Sequence, residues 1–309
     1  MMGDAWEMDG GTRLVGVIGR PVEHSLSPAM HNAALARLGL NWRYVPLPVR
    51  PSRVAEAIRG AAALGFRGIN VTVPHKQAVM ALMDEVSAEA AAVGAVNTVV
   101  IDRDADGGAV LTGHNTDVRG FLGSLRAGGF DPAAAGKAVV VGAGGAARAV
   151  VYGLATAGMS DVVVLNRTAA RAETLVDDLS QAAVGSRARW GALTVASLRA
   201  ETDDADLLVN ATTLGMWPDV HGSVWPDGLP VPGQLTVYDL VYNPLETRLL
   251  YSARHSGARG IDGLGMLARQ GAIALDLWLD GALDVDAVTN QMRSACLDAL
   301  DRRRQGMKR

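Results

Sequence analysis

The sequence has little cysteine and little net charge. Cys296 is the one cysteine among 309 residues, which excludes an internal disulfide framework and any metal cluster built from several cysteines. The net charge is −3 with both signs interspersed, so no basic patch marks a nucleic-acid partner or an anionic membrane surface. We expect no nucleic-acid partner, and a single cysteine fits the reducing cytoplasm.

Long apolar runs are also absent. The most apolar region covers residues 138–159, but Arg148 and several glycines interrupt it, so a strand, a turn and a helix explain it better than a membrane span. The first residues are acidic and have no apolar centre, which argues against a signal peptide. We expect residues 1–13 to form a flexible extension and no part of the chain to enter a membrane.

A glycine-rich turn between an apolar strand and a helix is the most informative motif that is present. It has the G-x-G-x-x-A form of the dinucleotide-binding fingerprint. Gly142 allows the tight turn, Gly144 lets the backbone approach a pyrophosphate, and Ala147 keeps the helix close to the strand. The helix N-terminus offers free N–H groups to the phosphates. The residues expected to bind the dinucleotide here are Gly142, Ala143, Gly144, Gly145 and Ala146.

Strands and helices alternate on both sides of this turn. Before residue 137, short strands, helices and a hairpin around residues 104–108 predict an α/β domain with a mixed sheet. A helix with Ser27 as its N-cap is expected from Pro28. After residue 137, the order of strands and helices predicts a doubly wound parallel sheet, the Rossmann fold. Its five strands are expected at 138–141, 162–165, 207–210, 237–240 and 258–261.

The end of the second Rossmann strand indicates which dinucleotide is bound. NAD sites usually have an acidic residue there, which bonds the ribose 2′-hydroxyl. This chain has no acid at that point. A carboxylate would repel a 2′-phosphate, whereas a guanidinium can bind one through two N–H groups. The residues of this expected 2′-phosphate pocket, which favours NADP(H), are Asn166, Arg167, Thr168 and Arg171. The alternative is that the two arginines form a solvated helix start.

Two hydroxyls precede the first predicted helix. Ser25 and Ser27 stand two residues apart, and the helix dipole at that position favours an anion such as a carboxylate. An ordinary helix cap explains Ser27 as well, but it does not explain Ser25.

Further polar groups follow the third predicted strand. Thr72 lies near its end, the chain turns at Pro74, and Lys76 comes next. A lysine at the end of a strand can bond a substrate oxygen and exchange its proton with it. Asn97 and Asp117 add an amide and a carboxylate from neighbouring elements. Each of these residues alone is more often a surface or turn residue, and spacing does not show that they converge.

Taken in order, the motifs resemble those of the shikimate dehydrogenase family. The resemblance covers nearly everything from about residue 14 to 298, and the matching pieces occur in the order of the family. They are HSLSP at 24–28, NVTVPHK at 70–76, GAVNT at 94–98, GHNTD at 113–117, VGAGGA at 141–146, NRT at 166–168, VYNP at 241–244 and DGLGMLARQ at 262–270. Each piece alone is weak, but the ordered set is highly specific.

The resemblance implies an NADP-dependent oxidoreductase that acts on a CH–OH group. Its reaction is the reversible reduction of 3-dehydroshikimate to shikimate, a step toward chorismate and the aromatic amino acids. Lys76 would be the catalytic proton donor and acceptor, with Asp117 beside it and also in contact with the substrate. The remaining substrate contacts implied are Ser25 and Ser27 to the carboxylate, and Thr72, Asn97, Tyr242 and Gln270 to hydroxyls or the carboxylate. The nicotinamide would lie near Leu240 and Gly263.

This resemblance completes the expected domain organisation. A flexible extension (1–13) precedes a substrate-binding and catalytic domain (14–114). A connecting helix and linker (115–136) lead to the NADP-binding Rossmann domain (137–280). The C-terminal helix (281–309) packs back on the substrate domain. We expect a cytoplasmic monomer or homodimer with a small-molecule substrate.

Two other functions remain open from the sequence. A quinate/shikimate dehydrogenase of broader substrate or NAD specificity would use the same contacts. A non-catalytic nucleotide-sensing protein is disfavoured because both Lys76 and Asp117 are present. No metal is expected, because His24, His31, His75 and His114 lack ligand spacing.

Overall fold

The structure is a computed structural model that describes residues 8–180 and 187–306. The chain divides into two compact units, one of Met1–Thr116 with Ala268–Arg309 and one of Asp117–Leu267. The helix expected to connect two domains therefore belongs to the second unit, and the chain returns to the first unit at Ala268. Residues 1–7 of the expected extension lie outside the described residues. Within the described part of that extension, Asp9 accepts hydrogen bonds from Gly11 N–H and Asn41 Nδ2, each at 2.8 Å.

Strands and helices alternate along most of the described chain. The strands are β1 (Arg13–Gly19), β2 (Trp42–Pro48), β3 (Gly68–Val71), β4 (Glu85–Val86), β5 (Thr98–Arg103), β6 (Ala109–His114), β7 (Lys137–Val141), β8 (Asp161–Asn166), β9 (Arg187–Ala192), β10 (Leu207–Asn210), β11 (Thr236–Asp239) and β12 (Arg259–Ile261). The α-helices are α1 (Ser27–Arg37), α2 (Val54–Ala63), α3 (Ala88–Val93), α4 (Asp117–Ala127), α5 (Gly145–Thr156), α6 (Ala169–Ser180), α7 (Val195–Thr202), α8 (Arg248–His255), α9 (Leu264–Trp278) and α10 (Val285–Gly306).

The sheet of the first unit is mixed, as predicted. Its strand order is β2-β1-β3-β5-β6-β4. The strand β1 is parallel to both β2 and β3, whereas β5 is antiparallel to β3 and to β6. The predicted hairpin is therefore the β5–β6 pair. Apolar residues on one face of this sheet, such as Ile69 and Val99, are fully buried in the core of the unit.

The sheet of the second unit has the Rossmann order. Its strands are all parallel and lie in the order β12-β11-β10-β7-β8-β9. Counted from β7, this is 6-5-4-1-2-3, so the strand order reverses between β7 and β10. Ligands of doubly wound sheets bind outside the carboxyl ends of the strands at such a reversal. The predicted doubly wound fold is confirmed.

Two elements of the second unit were not predicted. Edge strand β9 contains two arginines and no apolar run, and Arg189 forms ion pairs with Asp161 and Glu201. Side chains of this kind are tolerated because an edge strand is not enclosed on both sides. The helix α7 that follows has no strong apolar face, and a capping box between Thr194 and Ser197 holds its start.

Helix α9 reaches the sheet of the first unit through an indole. Trp278 is 1 % exposed, and its Nε1 donates to the carbonyl of Val99 at 3.1 Å. Gly68 on β3 lies directly against this ring, and a Cβ at that position would overlap the indole. Because well-packed cores do not relax freely, this contact requires glycine.

The close contact predicts that Gly68→Ala is destabilising. We expect the free energy of unfolding to fall by about 2 kcal/mol, as for an overpacked core. The matched control is Gly60→Ala in α2, where an added Cβ meets nothing within 4 Å. That change should raise the free energy of unfolding by about 0.5 to 1 kcal/mol. Urea unfolding of both variants tests this, and equal stability of the two would contradict it.

Candidate active site

The two predicted serines lie at the start of α1, Ser25 in the turn before the helix and Ser27 as its first residue. The helix begins at Ser27 itself and its N-cap is Leu26, which has no side-chain capping bond. The prediction that Ser27 is the N-cap is therefore wrong by one residue. Instead, Ser25 Oγ accepts a hydrogen bond from Ser27 N–H at 3.1 Å. Ser25 is half-buried and Ser27 is buried, so the turn is an ordered part of the first unit.

Lys76 lies in a short segment that is fixed by backbone hydrogen bonds. Thr72 N–H donates to Ile18 O at 2.9 Å, and His75 N–H donates to Thr72 O at 3.0 Å. The carbonyl of Lys76 accepts from Val96 N–H at 2.8 Å, which ties Lys76 to the residue before Asn97. Thr72 and Lys76 are both half-buried. The first unit thus holds the lysine backbone next to the polar network around Asn97.

Asn97 is the centre of a buried network of amides and hydroxyls. Its Oδ1 accepts from Thr116 N–H at 2.8 Å and from Thr98 Oγ1 at 3.0 Å. Its Nδ2 donates to Thr116 Oγ1 at 3.0 Å and to Gln270 Oε1 at 3.5 Å. The structure therefore brings the predicted Asn97 and Gln270 together across 173 positions of sequence. Buried polar groups that are fully satisfied hold one fixed arrangement.

The network continues behind Asn97. Asn70 Nδ2 donates to Thr98 Oγ1 at 3.0 Å, and Tyr44 Oη donates to Asn70 Oδ1 at 2.8 Å. Thr98 and Thr116 were not singled out from the sequence, although both lie in the quoted motifs. Each of them directly follows an asparagine in the sequence, Asn97 or Asn115, and a buried hydroxyl requires a partner.

His31 packs on the same network as a neutral base. Its ring stacks on Tyr44 with centroids 4.0 Å apart, and Nδ1 donates to the carbonyl of Ser27 at 2.9 Å. Burial lowers the pKa of His31 to about 4, and the bond to Ser27 only partly opposes this effect. In the unfolded chain the pKa of His31 is near 6.5, so as the pH falls the unfolded chain binds a proton at His31 before the folded protein does.

His31 should therefore make stability depend on pH. Its contribution is complete above pH 6.5 and is lost as the pH falls toward 4. Between pH 6.5 and 5, the wild type should lose about 2 kcal/mol more of its unfolding free energy than His31→Asn, which keeps a donor and cannot titrate. Urea unfolding of both proteins across this range provides the measurement. Parallel pH curves would rule out the assignment.

Asp117 and Tyr242 belong to the second unit. Asp117 is the first residue of α4 and is 4 % exposed. The positive end of the helix dipole stabilises a carboxylate at this position. Tyr242 is half-buried in the segment after β11.

A buried carboxylate that was not predicted holds the segment containing Tyr242. Asp239 accepts from Val241 N–H at 3.1 Å, Asn210 Nδ2 at 2.8 Å and Thr247 Oγ1 at 2.6 Å. Burial raises the pKa of Asp239 to about 6, and these bonds oppose the increase. An acid at the end of an apolar strand was the signal available in the sequence. Asp239 closes the loop 240–246 at both ends.

The glycine turn has the shape that a pyrophosphate requires. Gly142 has φ +117°, and a Cβ there would lie 3.0 Å from the carbonyl of Ala211. Gly144 is exposed, and a Cβ there would enter open space with nothing within 4 Å. It is the N-cap of α5, and the first amides of the helix have no side-chain capping bond from this position. Free amides and an open approach fit a phosphate group at Gly142–Ala146.

The expected 2′-phosphate pocket follows β8. Asn166 Nδ2 donates to Thr168 O at 2.8 Å, and Arg171 N–H donates to the same carbonyl at 3.0 Å. Arg167 and Arg171 are exposed, and neither guanidinium has an ion pair within residues 8–180 and 187–306. These cations are therefore available to an anion from solvent.

The expected nicotinamide positions also require close backbone packing. A Cβ at Gly263 would overlap the carbonyl of Leu240, so the two predicted residues lie against each other. The loop that begins at Ala211 was missed in the sequence. It lies at the carboxyl end of β10, beside Gly142, where the strand order reverses. Topology locates this loop, whereas its sequence has no glycine fingerprint.

The described ranges contain neither a group of metal-binding side chains nor a membrane-spanning helix. No three or more histidine, cysteine, aspartate or glutamate side chains are grouped so as to hold a metal ion there. The same ranges contain no helix with the length and apolarity needed to span a membrane.

The second unit is a Rossmann fold with a dinucleotide turn, and the first is an α/β unit with a lysine and a buried amide network. These features define a dinucleotide-dependent dehydrogenase of small polar substrates. Two family models match the chain, the shikimate dehydrogenase substrate binding domain at residues 17–99 and shikimate / quinate 5-dehydrogenase at residues 126–214. The NADP⁺-dependent shikimate dehydrogenase of Moorella thermoacetica is 49 % identical over 92 % of this chain and 94 % of its own length. The chain belongs to the shikimate dehydrogenase family.

Solved structures agree with this assignment. Shikimate 5-dehydrogenase from Thermus thermophilus, in complex with NADP(H) and shikimate, is 41 % identical, with a TM-score of 0.77 over 92 % of this chain and 99 % of that one. Quinate dehydrogenase from Corynebacterium glutamicum, in complex with NAD, is 36 % identical, with a TM-score of 0.79 over 92 % and 99 %. The fold is therefore common to enzymes with different substrates and cofactors.

Proposed function

We propose that this chain catalyses the reversible, NADP-dependent interconversion of 3-dehydroshikimate and shikimate. The observation that carries the proposal is the buried network that joins Asn97, Thr116 and Gln270 in the first unit. A substrate rich in hydroxyls is selected by amides and hydroxyls held in a fixed arrangement. Such a site discriminates against analogues that lack a hydroxyl, because the hydrogen bonds that its fixed groups make to that hydroxyl are then lost. The similarity to NADP⁺-dependent relatives supports the cofactor.

Lys76 is proposed to be the acid–base group. When bound, NADPH supplies the hydride that reduces the substrate ketone. The carbonyl oxygen then gains alkoxide charge, which a positioned cation stabilises and protonates. The ammonium at Lys76 Nζ performs both tasks, and Asp117 orients it and balances its charge. In the reverse direction, neutral Lys76 accepts the proton of the substrate hydroxyl.

The other predicted residues bind rather than react. Ser25 and Ser27 are proposed to hold the substrate carboxylate at the N-terminus of α1, where the helix dipole favours an anion. Thr72, Asn97, Tyr242 and Gln270 are proposed to bond the hydroxyls or the carboxylate. The cofactor would be held by Gly142–Ala146, by Asn166, Arg167, Thr168 and Arg171, and by the Leu240–Gly263 contact. Asp239 keeps the loop that contains Leu240 and Tyr242 in place.

The proposed reaction is a step in the biosynthesis of chorismate and the aromatic amino acids. We place it in the cytoplasm, where NADPH is available as a reductant. A monomer suffices, because both sets of residues belong to one chain. A homodimer would leave the proposal unchanged.

Initial rates with four substrate and cofactor pairs test the proposal. Shikimate and quinate are each oxidised with NADP⁺ and with NAD⁺ at matched concentrations. Shikimate with NADP⁺ should give the highest kcat/KM. The quinate dehydrogenase of Corynebacterium glutamicum, described in complex with NAD, makes quinate the relevant competitor. A higher kcat/KM for quinate with NAD⁺ would replace the proposed function by that of a quinate dehydrogenase.

A further inference from the structure

The last helix contacts the turn that contains the two serines. Gln291 Nε2 on α10 donates to the carbonyl of Ala33 on α1 at 3.0 Å, so the two helices pack against each other within the first unit. Three turns of helix further on, Arg303 Nη1 donates to His24 O at 2.9 Å, and its Nη2 donates to Ser25 O at 3.3 Å. One guanidinium therefore binds two successive carbonyls immediately before α1.

Arg303 differs from its neighbours on the helix. Arg302 and Arg304 are exposed, whereas Arg303 is half-buried. The planar guanidinium presents its N–H groups in a fixed fork, and a lysine in its place would offer a single point charge. Its two bonds span 279 and 278 positions of sequence. A solvated surface arginine would not need this geometry.

We propose that Arg303 is a positioning residue for the substrate carboxylate; this proposal rests on the proposed function. Ser25 is held at two points, because its carbonyl accepts from Arg303 and its Oγ accepts from Ser27 N–H. Fixing the backbone of this turn fixes the two hydroxyls that are assigned to the carboxylate. A preorganised turn binds without having to lose conformational freedom at that moment. The positive charge also favours an anion at the turn.

A positioning role and a purely structural role differ in which kinetic constants change when Arg303 is lost. If Arg303 only joined α10 to α1, its loss would lower stability and change every kinetic constant together. If it positions the serines, its loss affects the binding of the carboxylate alone. Shikimate and its methyl ester separate the two cases, because the ester has the same ring hydroxyls and no carboxylate charge.

The test compares Arg303→Gln and Arg303→Lys with the matched neighbours Arg302→Gln and Arg304→Gln. Steady-state oxidation with NADP⁺ gives kcat and KM for shikimate and for shikimate methyl ester, and thermal unfolding gives Tm. In Arg303→Gln, KM for shikimate should rise about tenfold, with kcat within about twofold and KM for NADP⁺ unchanged. The preference for the acid over the ester should fall by about the same factor. Arg303→Lys should keep part of this preference for the acid. Arg302→Gln and Arg304→Gln should have the same kcat and KM values as the wild type.

Two outcomes would overturn the proposal. One is an unchanged KM for shikimate in Arg303→Gln, and the other is an equal change for acid and ester. If Arg303→Gln fails to fold, the same comparison is made with Arg303→Lys, and its preference for shikimate over the methyl ester decides the question. Failure of the proposed function is a separate result, since the wild type itself would then not oxidise shikimate with NADP⁺.

Discussion

Replacing Lys76 with methionine should lower kcat for shikimate oxidation at least about a hundredfold, the loss expected for an acid–base group. Methionine keeps most of the apolar stem but cannot carry a proton or a charge. The carbonyl of residue 76 still accepts from Val96 N–H, so the segment should keep its backbone position. KM for NADP⁺ should stay close to the wild-type value. Steady-state rates at saturating substrate, together with single-turnover rates, provide the measurement.

The matched control for this prediction is the neighbouring residue. Gln77 is exposed, and Gln77→Ala should leave kcat unchanged. Lys76→Arg restores a positive charge but cannot give up its proton, so it should recover binding and not turnover. Turnover of Lys76→Met near the wild-type rate would remove Lys76 from the acid–base role. A large rise in KM for shikimate with unchanged kcat would make it a binding residue instead.

Asn166→Asp should reduce the preference for NADP⁺ over NAD⁺ by about tenfold or more. The change introduces the carboxylate that NAD sites have at the end of the second strand, and this charge repels a 2′-phosphate. The amide of Asn166 donates to Thr168 O, and a carboxylate cannot make that bond. kcat/KM for NADP⁺ should therefore fall, while kcat/KM for NAD⁺ stays constant or rises. The ratio of the two is the measured quantity.

Asn166→Ser separates the added charge from the lost amide. It removes the bond to Thr168 without adding a negative charge, so its cofactor preference should change much less. Arg167→Gln should lower kcat/KM for NADP⁺ in the same direction as Asn166→Asp, because it removes a cation that is free to bind the phosphate. An unchanged ratio in Asn166→Asp would show that the 2′-phosphate is bound elsewhere. The solvated helix start would then be the correct interpretation of both arginines.

Local geometry was predictable from the sequence where one residue type alone satisfies what the backbone requires. The glycine turn is such a case, since φ +117° at Gly142 and the open space at Gly144 are conditions that glycine satisfies. The alternation of elements predicted a mixed sheet and a Rossmann sheet, and both are present. These features depend on a few neighbouring residues, so a single sequence contains them.

Features that depend on distant contacts were not predictable in the same way. The contact of Asn97 with Gln270 joins residues far apart in the chain, and only the resemblance indicated both. Asp239 was missed because its three donors come from β10, the loop and the start of α8. Edge strand β9 was missed because it has no apolar run. In each case the partner that explains the residue lies outside any short window.

The indole of Trp278 against Gly68 has a consequence for the order in which the chain is made. The first unit needs residues from both ends of the polypeptide, because Trp278 and Gln291 bind groups at Val99 and Ala33. The second unit is one continuous segment, Asp117–Leu267. During synthesis, the Rossmann unit has all its strands before the ribosome has translated the helices that complete the unit preceding it. The half of the enzyme that is made first is therefore completed last, because its sheet lacks the indole of Trp278 until α9 has been translated.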